Sequence, residues 1–413
     1  MVKLCTLSIL LSLLVPTHTT RSPDCGGILT PAGLSYLAEV SKPHAEAVLR
    51  QDLMTPTVPD LFLSSPKPSS RNQINAVKVT ELSLSLIPDT GLRLSIDVDL
   101  GVTPAPSTTK VMRLSILADI HVEMNPEGNL ELVTSACKPT MEEMQSTEEM
   151  ERSTLQFFLA MGSGKSSSSD MDKEINIDKI CVEVSKLLLL PNEQLMSLTA
   201  QFPVTPSCQL QYLPLAAPMF SEQGITISLQ TTFQVAGMVI PLPVSPVPFS
   251  MPEAASSSPS HLTLAFSEHF YTSLFFALEM AGAFNMTIPM GSLFQEDVPV
   301  MLQAVFRSSS RVVLEEGKAA LKLFLTIHVG ASSSAFQSFL SMNVAALLEE
   351  LFLPTIREEV LAQMNVVLSE GVFLPHMYSF TYTDVNVMIH KDYVLVPCNL
   401  KLLSRTGEQT TMG

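Results

Sequence analysis

Gly164-Lys165-Ser166 has the residue types that close a phosphate-binding loop, where backbone amides cradle phosphates and the lysine reaches them. That loop needs a glycine five positions before Gly164, and position 159 is Leu. A serine run follows where a helix should open, so the segment reads as a solvated loop. The carboxylates between Glu142 and Glu151 could be paired for acid–base work, but a run of one sign reads as a solvated face. Seven histidines, from His44 to His390, are scattered singly and read as surface or satisfied core positions rather than bases. The chain has no G-x-S-x-G elbow and no H-E-x-x-H pair. The expectation is no catalytic residue, no metal and no cofactor: not an enzyme.

The cysteines exclude other chemistry. Past residue 20 they are Cys25, Cys137, Cys181, Cys208 and Cys398, with no CxxC and no Cys/His cluster, so zinc is not expected. Five thiols are too sparse for a disulfide scaffold, and an odd count leaves at least one free or paired between molecules.

Composition narrows the class. The 413 residues hold 40 acids against 24 bases, a net charge of −16, with 46% hydrophobic and only 15% charged residues. That balance excludes a disordered chain or a coiled coil, and an acidic chain lacks the basic footprint that nucleic acid requires. The length suggests two domains.

Residues 1–20 read as a secretory signal: Lys3, the apolar run Leu4–Val15, then Pro16 with small Thr17 and Thr19 at a cleavage position. Twelve residues are too few to span about 30 Å of hydrocarbon. No later window supplies a transmembrane segment; the nearest, Leu274–Met286, is short and contains Glu279. The mature chain is expected to be secreted or held in the lumen of the endoplasmic reticulum. Asn285-Met286-Thr287 is a glycosylation sequon that fits this route.

The elements that would position a site follow from periodicity. Pro31–Leu53 has helical spacing, with Pro31 in a first turn. The period then becomes two through Val77–Leu86, Leu92–Leu100, Met112–Met124 and Leu130–Leu132, with turns at 88–91 and 125–128: an antiparallel meander with one wet face. Residues 140–173, rich in Met, Glu and Ser, read as a surface excursion. Ile180–Phe202 is helical again, kinked or divided by Pro191. A proline-rich stretch containing the strand Ile225–Val235 connects to a second half. There Phe266–Phe284, Phe336–Leu351 and Thr355–Ser369 read as helices. Val298–Phe306, Arg311–Glu315, Ala320–Val329, Tyr378–Ile389 and Tyr393–Leu400 read as strands.

The sequence resembles the bactericidal/permeability-increasing (BPI) family, which includes lipopolysaccharide-binding, lipid-transfer and palate/lung/nasal epithelium proteins. Four segments carry the resemblance: Ala32-Gly33-Leu34 opening the first helix, Gly91-Leu92-Arg93-Leu94-Ser95-Ile96, the positions of Cys137 and Cys181, and Phe266-Ser267-Glu268 through Met286-Thr287-Ile288. It implies an α+β boomerang of two barrels, each a twisted antiparallel sheet wrapped on a long helix, joined by a central sheet. It also implies a Cys137–Cys181 disulfide. The implied division is a signal at 1–20, an N-terminal barrel at 21–202, a proline-rich connector and central sheet at 203–260, and a C-terminal barrel at 261–413. One departure stands out: only Leu155–Met161 could supply the strand the family has soon after its first disulfide cysteine.

The implied function is to hold phospholipid or other acyl chains in apolar slots between helix and barrel. Leu34, Leu37 and Leu187 would line one slot, and Phe275 and Phe276 the other; as plain core, the Leu187–Leu190 run merely packs its helix on the sheet. Two alternatives stay open: a lipopolysaccharide-binding protein of innate immunity, and a structural or surface-active protein whose slot is closed. Against the former, residues 21–215 hold 15 bases and 24 acids, and residues 216–413 hold 8 and 16, so neither half is cationic.

Overall fold

A computed structural model describes residues 22–54, 73–103, 110–143, 177–241, 247–255, 259–290, 300–306, 310–331, 337–343, 353–369, 371–375 and 377–403. The expected signal, the loop around Gly164, the Leu155–Met161 segment and most of the acidic run lie outside these residues.

Helix α1 (Pro31–Leu53) starts where its sequence specifies a start: the Thr30 side chain accepts a hydrogen bond from the Gly33 amide at 3.2 Å, and Pro31 needs no partner in the first turn. Its buried positions Leu34, Ala38, Ala45 and Leu49 face a four-stranded antiparallel sheet, β2 (Gln73–Ile87), β3 (Gly91–Thr103), β4 (Lys110–Met124) and β5 (Leu130–Glu143), in sequence order. The inner face is continuous from Val77 to Ile120 through Ile96, Val98, Leu100, Leu114 and Ile116. On β2 the apolar phase slips between Val79 and Leu82, and the structure has a register shift between Val79 and Glu81. One extra residue there lets both halves of the strand face the core. The outer face is wet, with Arg93 against Asp119 and Arg113 against Asp99 across adjacent strands.

The glycines that open two of the resemblance segments have a physical reason. A Cβ on Gly33 would lie 2.3 Å from the His261 carbonyl oxygen, and one on Gly91 2.2 Å from that of Ile120. Both are backbone obstacles, so only glycine fits.

The expected helix Ile180–Phe202 is two helices and a strand: α2 (Ile177–Leu187), α3 (Leu189–Ser197) and β6 (Gln201–Thr205). The break at Leu188 precedes Pro191, whose ring would clash with the carbonyl four residues earlier, that of Leu187. Ile180, Val184 and Leu187 place α2 beside α1 on the same core, and Cys181 bonds to Cys137 of β5, with Cα atoms 5.8 Å apart.

A ten-stranded sheet forms the middle of the molecule. Its main path runs β18 (Phe380–Thr383), β20 (Tyr393–Leu402), β11 (Leu262–Ser267), β1 (Cys25–Leu29), β9 (Gly224–Val235), β7 (Cys208–Pro214), β6; the short β8 (Met219–Ser221) and β10 (Met238–Val239) pair with β9, and β19 (Met388–His390) with β20. The start, middle and end of the chain meet there.

The second half packs α4 (Glu268–Met280) and α5 (Leu353–Leu368) with the sheet β12 (Met286–Met290), β13 (Val300–Phe306), β16 (Leu325–Ala331), β17 (Gln337–Asn343) and the hairpin β14 (Arg311–Glu315)–β15 (Lys318–Lys322). Its core extends under the central sheet through Tyr212, Phe233, Phe266 and Phe270.

Four expectations are corrected here. Phe266 ends β11 and is not helical; Ser267 caps α4 by accepting from the Phe270 amide. Ala320–Val329 is two strands in two sheets, yet Leu321, Leu323, Leu325, Ile327 and Val329 face one core, which preserves the alternation. Tyr378–Ile389 is likewise divided between β18 and β19. Gln337–Asn343 is a strand paired with β16, against its helical spacing; partners from Thr326 to Ala331 override the local pattern.

Candidate functional site

In the N-terminal unit the two buried candidates belong to one hydrophobic core, and neither lines the groove described below. Leu34 of α1 is 2% exposed and Leu187 at the end of α2 is 7% exposed, both in the cluster that includes Leu49, Ile180 and Val184. Leu37 is half-buried one turn along α1 from Leu34.

Between α1 and α2–α3 lies an open groove of about 460 Å³ lined by His44, Val48, Gln51, Lys186, Leu189, Leu190 and Glu193. Its apolar part is Val48, Leu189 and Leu190; its rim is polar. Lys186 reaches the buried carboxylate of Glu183 at 2.8 and 3.0 Å, so its charge is already matched. His44 Nε2 is buried without a hydrogen-bond partner among the described residues. The sequence reading missed His44, Lys186 and Glu193. The available signal was face geometry: positions 44, 48 and 51 line one side of α1, and 189, 190 and 193 one side of α3, with 186 at the end of α2.

In the C-terminal unit Phe275 and Phe276 are both half-buried on α4. Phe275 stacks on Phe284 with centroids 6.0 Å apart, and Phe284 meets Phe306 at 5.5 Å. The polar groups of α4 hold the neighbouring strand: Glu268 and Thr272 accept from the amides of Leu314 and Val312, and the Ser310 hydroxyl donates to buried Glu279. Asn285 is exposed after α4, its side-chain oxygen accepting from the Phe306 amide at 3.3 Å.

The other described thiols, Cys25, Cys208 and Cys398, are buried and unpaired in the central sheet. Cys25 faces Leu229 on β9 while Cys208 faces Val235, six residues and about 20 Å further along. Cys25 faces Phe266 on β11 while Cys398 faces Leu262, about 13 Å along. Disulfides need Cα atoms within about 7 Å, so none of these pairs can form. Burial pushes the Cys25 thiol well above its ordinary range, Cys208 up to about 11 and Cys398 to about 12, the reverse of an activated nucleophile. Among the described residues no group of His, Cys, Asp and Glu could hold a metal ion.

Asp24 is the most perturbed carboxylate. Its Oδ1 accepts from the Thr231 amide and hydroxyl at 2.9 and 3.1 Å, while Oδ2 is buried without a partner among the described residues. Burial raises its pKa to about 6, opposed by the Thr231 and Cys25 hydrogen bonds and by His269. A raised folded pKa means stability that is fully present below the ordinary value of 3.8 and lost as pH rises through about 6. Asp24→Asn keeps an acceptor for Thr231 and removes the charge. It is expected to be more stable than the parent by on the order of 3 kcal/mol at pH 7.5 and equal to it near pH 4. Denaturant titrations of both proteins at the two pH values check this; a difference independent of pH overturns it.

No protein-family model matches the chain. It is 57% identical to Protein TENP of Gallus gallus, over 96% of this chain and 99% of that one. It is 23% identical to human BPI fold-containing family B member 2, over 95% and 98% of the two chains. Among solved structures it is similar to the crystal structure of lipopolysaccharide binding protein, with a TM-score of 0.53 at 16% identity over 93% of this chain and all of that one.

Proposed function

The chain belongs to the BPI/LBP family of BPI-fold proteins, and from that premise we propose that it is a secreted, non-enzymatic protein that holds acyl lipids between helix and sheet. The observation that carries the reading is the open groove between α1 and α2–α3, whose apolar residues Val48, Leu189 and Leu190 lie beside the core to which Leu34 and Leu187 belong. Each acyl methylene removed from water there would gain about 0.8 kcal/mol before entropic costs. Leu34, Leu37 and Leu187 would line the N-terminal slot, and Phe275 and Phe276 the C-terminal one.

Secretion fits the leading segment 1–20, the exposed sequon at Asn285 and the absence, among the described residues, of any helix long and apolar enough to cross a membrane. We take 21–202 and 261–413 as the two barrels, with 203–260 as connector and central sheet. A lipopolysaccharide-binding role fits less well, because both halves are acidic.

Organic extraction of the purified protein followed by mass spectrometry tests the reading. Acyl lipid at one or two molecules per chain is the expected result. Protein that carries no lipid and takes up none from vesicles would establish instead a slot closed by its own side chains.

A further inference from the structure

From residue 194 to residue 252 the sequence holds a single charged side chain, Glu222, although 15% of the whole chain is charged. The fold gathers this stretch into β6, β7, β8, β9 and β10, the β6 side of the central sheet. Glu222 sits in the turn joining β8 to β9, whose ends Ser221 and Gly224 pair. The other end of β9 is about 35 Å away at the strand rise per residue. There the chain turns through Ala236 and Gly237, at φ 50° and 78°, into β10. The Ala236 amide donates to the Ser207 carbonyl at 2.9 Å, so the β6–β7 turn lies against the β9–β10 turn.

This end of the sheet is uncharged and presents apolar side chains to solvent. Met238 is 71% exposed and Val239 64%, and Ala236, Gly237 and Pro241 are exposed beside them. Burial does not account for them. The geometry points to the β9–β10 tip as an element that inserts into the surface of a zwitterionic lipid bilayer.

Charge selects that occupant. A molecule of net charge −16 is repelled by anionic surfaces and by its own copies, which leaves a surface without net charge as the match for this apolar, uncharged tip. The backbone agrees. Met238 pairs with Val235 and Val239 with Gln234, and the Ile240 amide donates to the Phe233 carbonyl at 3.0 Å. A hairpin whose inner backbone groups are paired exposes fewer open amides to an apolar phase than an irregular loop would. Insertion to the depth of two side chains matches interfacial rather than spanning association. The surface is distinct from the groove, so docking can fail while lipid is still found in the protein, and the reverse.

The chain contains no tryptophan, so one introduced there is the only such reporter. Met238→Trp, excited selectively, should shift its emission to the blue on addition of phosphatidylcholine vesicles. It should also be quenched by vesicles carrying brominated acyl chains. Leu117→Trp, on the outer face of β4 and 45% exposed, should show neither change. Met238→Asp with Val239→Asp should cut vesicle co-sedimentation at least tenfold with an unchanged circular dichroism spectrum. If Met238→Trp misfolds, Val239→Trp gives the same readings. Emission unaffected by millimolar lipid overturns the proposal. So does a shift that depends on protein concentration and occurs without lipid, which would assign the tip to a second copy of the chain.

Discussion

Removing the Cys137–Cys181 bond is expected to lower the stability of the N-terminal unit by about 4 kcal/mol, which the loop-entropy model gives for a closure of 44 positions. The bond joins β5 to α2 across a sequence separation of 44. Without it, α2 is held by packing, with Ile180, Val184 and Leu187 buried, and the unfolded chain regains the freedom of a long loop. Cys25, Cys208 and Cys398 are buried and unpaired, so among the described residues a reducing agent acts on one bond only. Denaturant unfolding of the double variant Cys137→Ala, Cys181→Ala against the parent measures the effect. A loss under about 1 kcal/mol would mean that the helix holds its place by packing and that the closure restrains little.

Paired charge insertions at Leu187 and Leu37 should give opposite outcomes. Leu187 is 7% exposed in a packed cluster and lies four residues after Glu183, itself buried and neutralised by Lys186. Leu187→Asp therefore places a second carboxylate one turn from the first with no cation to match it. It is expected to cost several kcal/mol and unfold the N-terminal unit. Leu37 is half-buried beside Leu34, so Leu37→Asp can keep its carboxylate hydrated. That variant is expected to stay folded, with a melt within about 1 kcal/mol of the parent, and to lose the N-terminal lipid while the C-terminal unit keeps its own. Circular dichroism and lipid stoichiometry read both. A folded Leu187→Asp protein with a full lipid load would place Leu187 outside core and slot alike; a folded Leu37→Asp protein with a full load would remove Leu37 from the slot.

The sequence by itself determined the elements whose pattern is local. Thr30 and Pro31 start α1, and strict alternation writes out β3 and β4. The phase slip between Val79 and Leu82 was already a bulge in the making. The candidate residues fared similarly: the spacing that puts Leu34 on the buried face of α1 is visible in the chain, as is the apolar run ending α2. Which neighbouring positions line an opening, such as His44 and Glu193, depends on the distance between two helices that are far apart in sequence.

The central sheet was decided only by tertiary structure. β1 is five residues long and shows no alternation, because four of its five residues are buried. It pairs on one side with β9, where Cys25 meets Leu229, and on the other with β11, where Cys25 meets Phe266. Gln337–Asn343 makes the same point from the opposite direction, carrying helical spacing and forming a strand because β16 offers it an edge. Periodicity reports how side chains next to one another in the chain divide between water and core. A strand between two partners more than two hundred residues away is specified by their edges and by burial on both faces, and neither quantity is written in any local window.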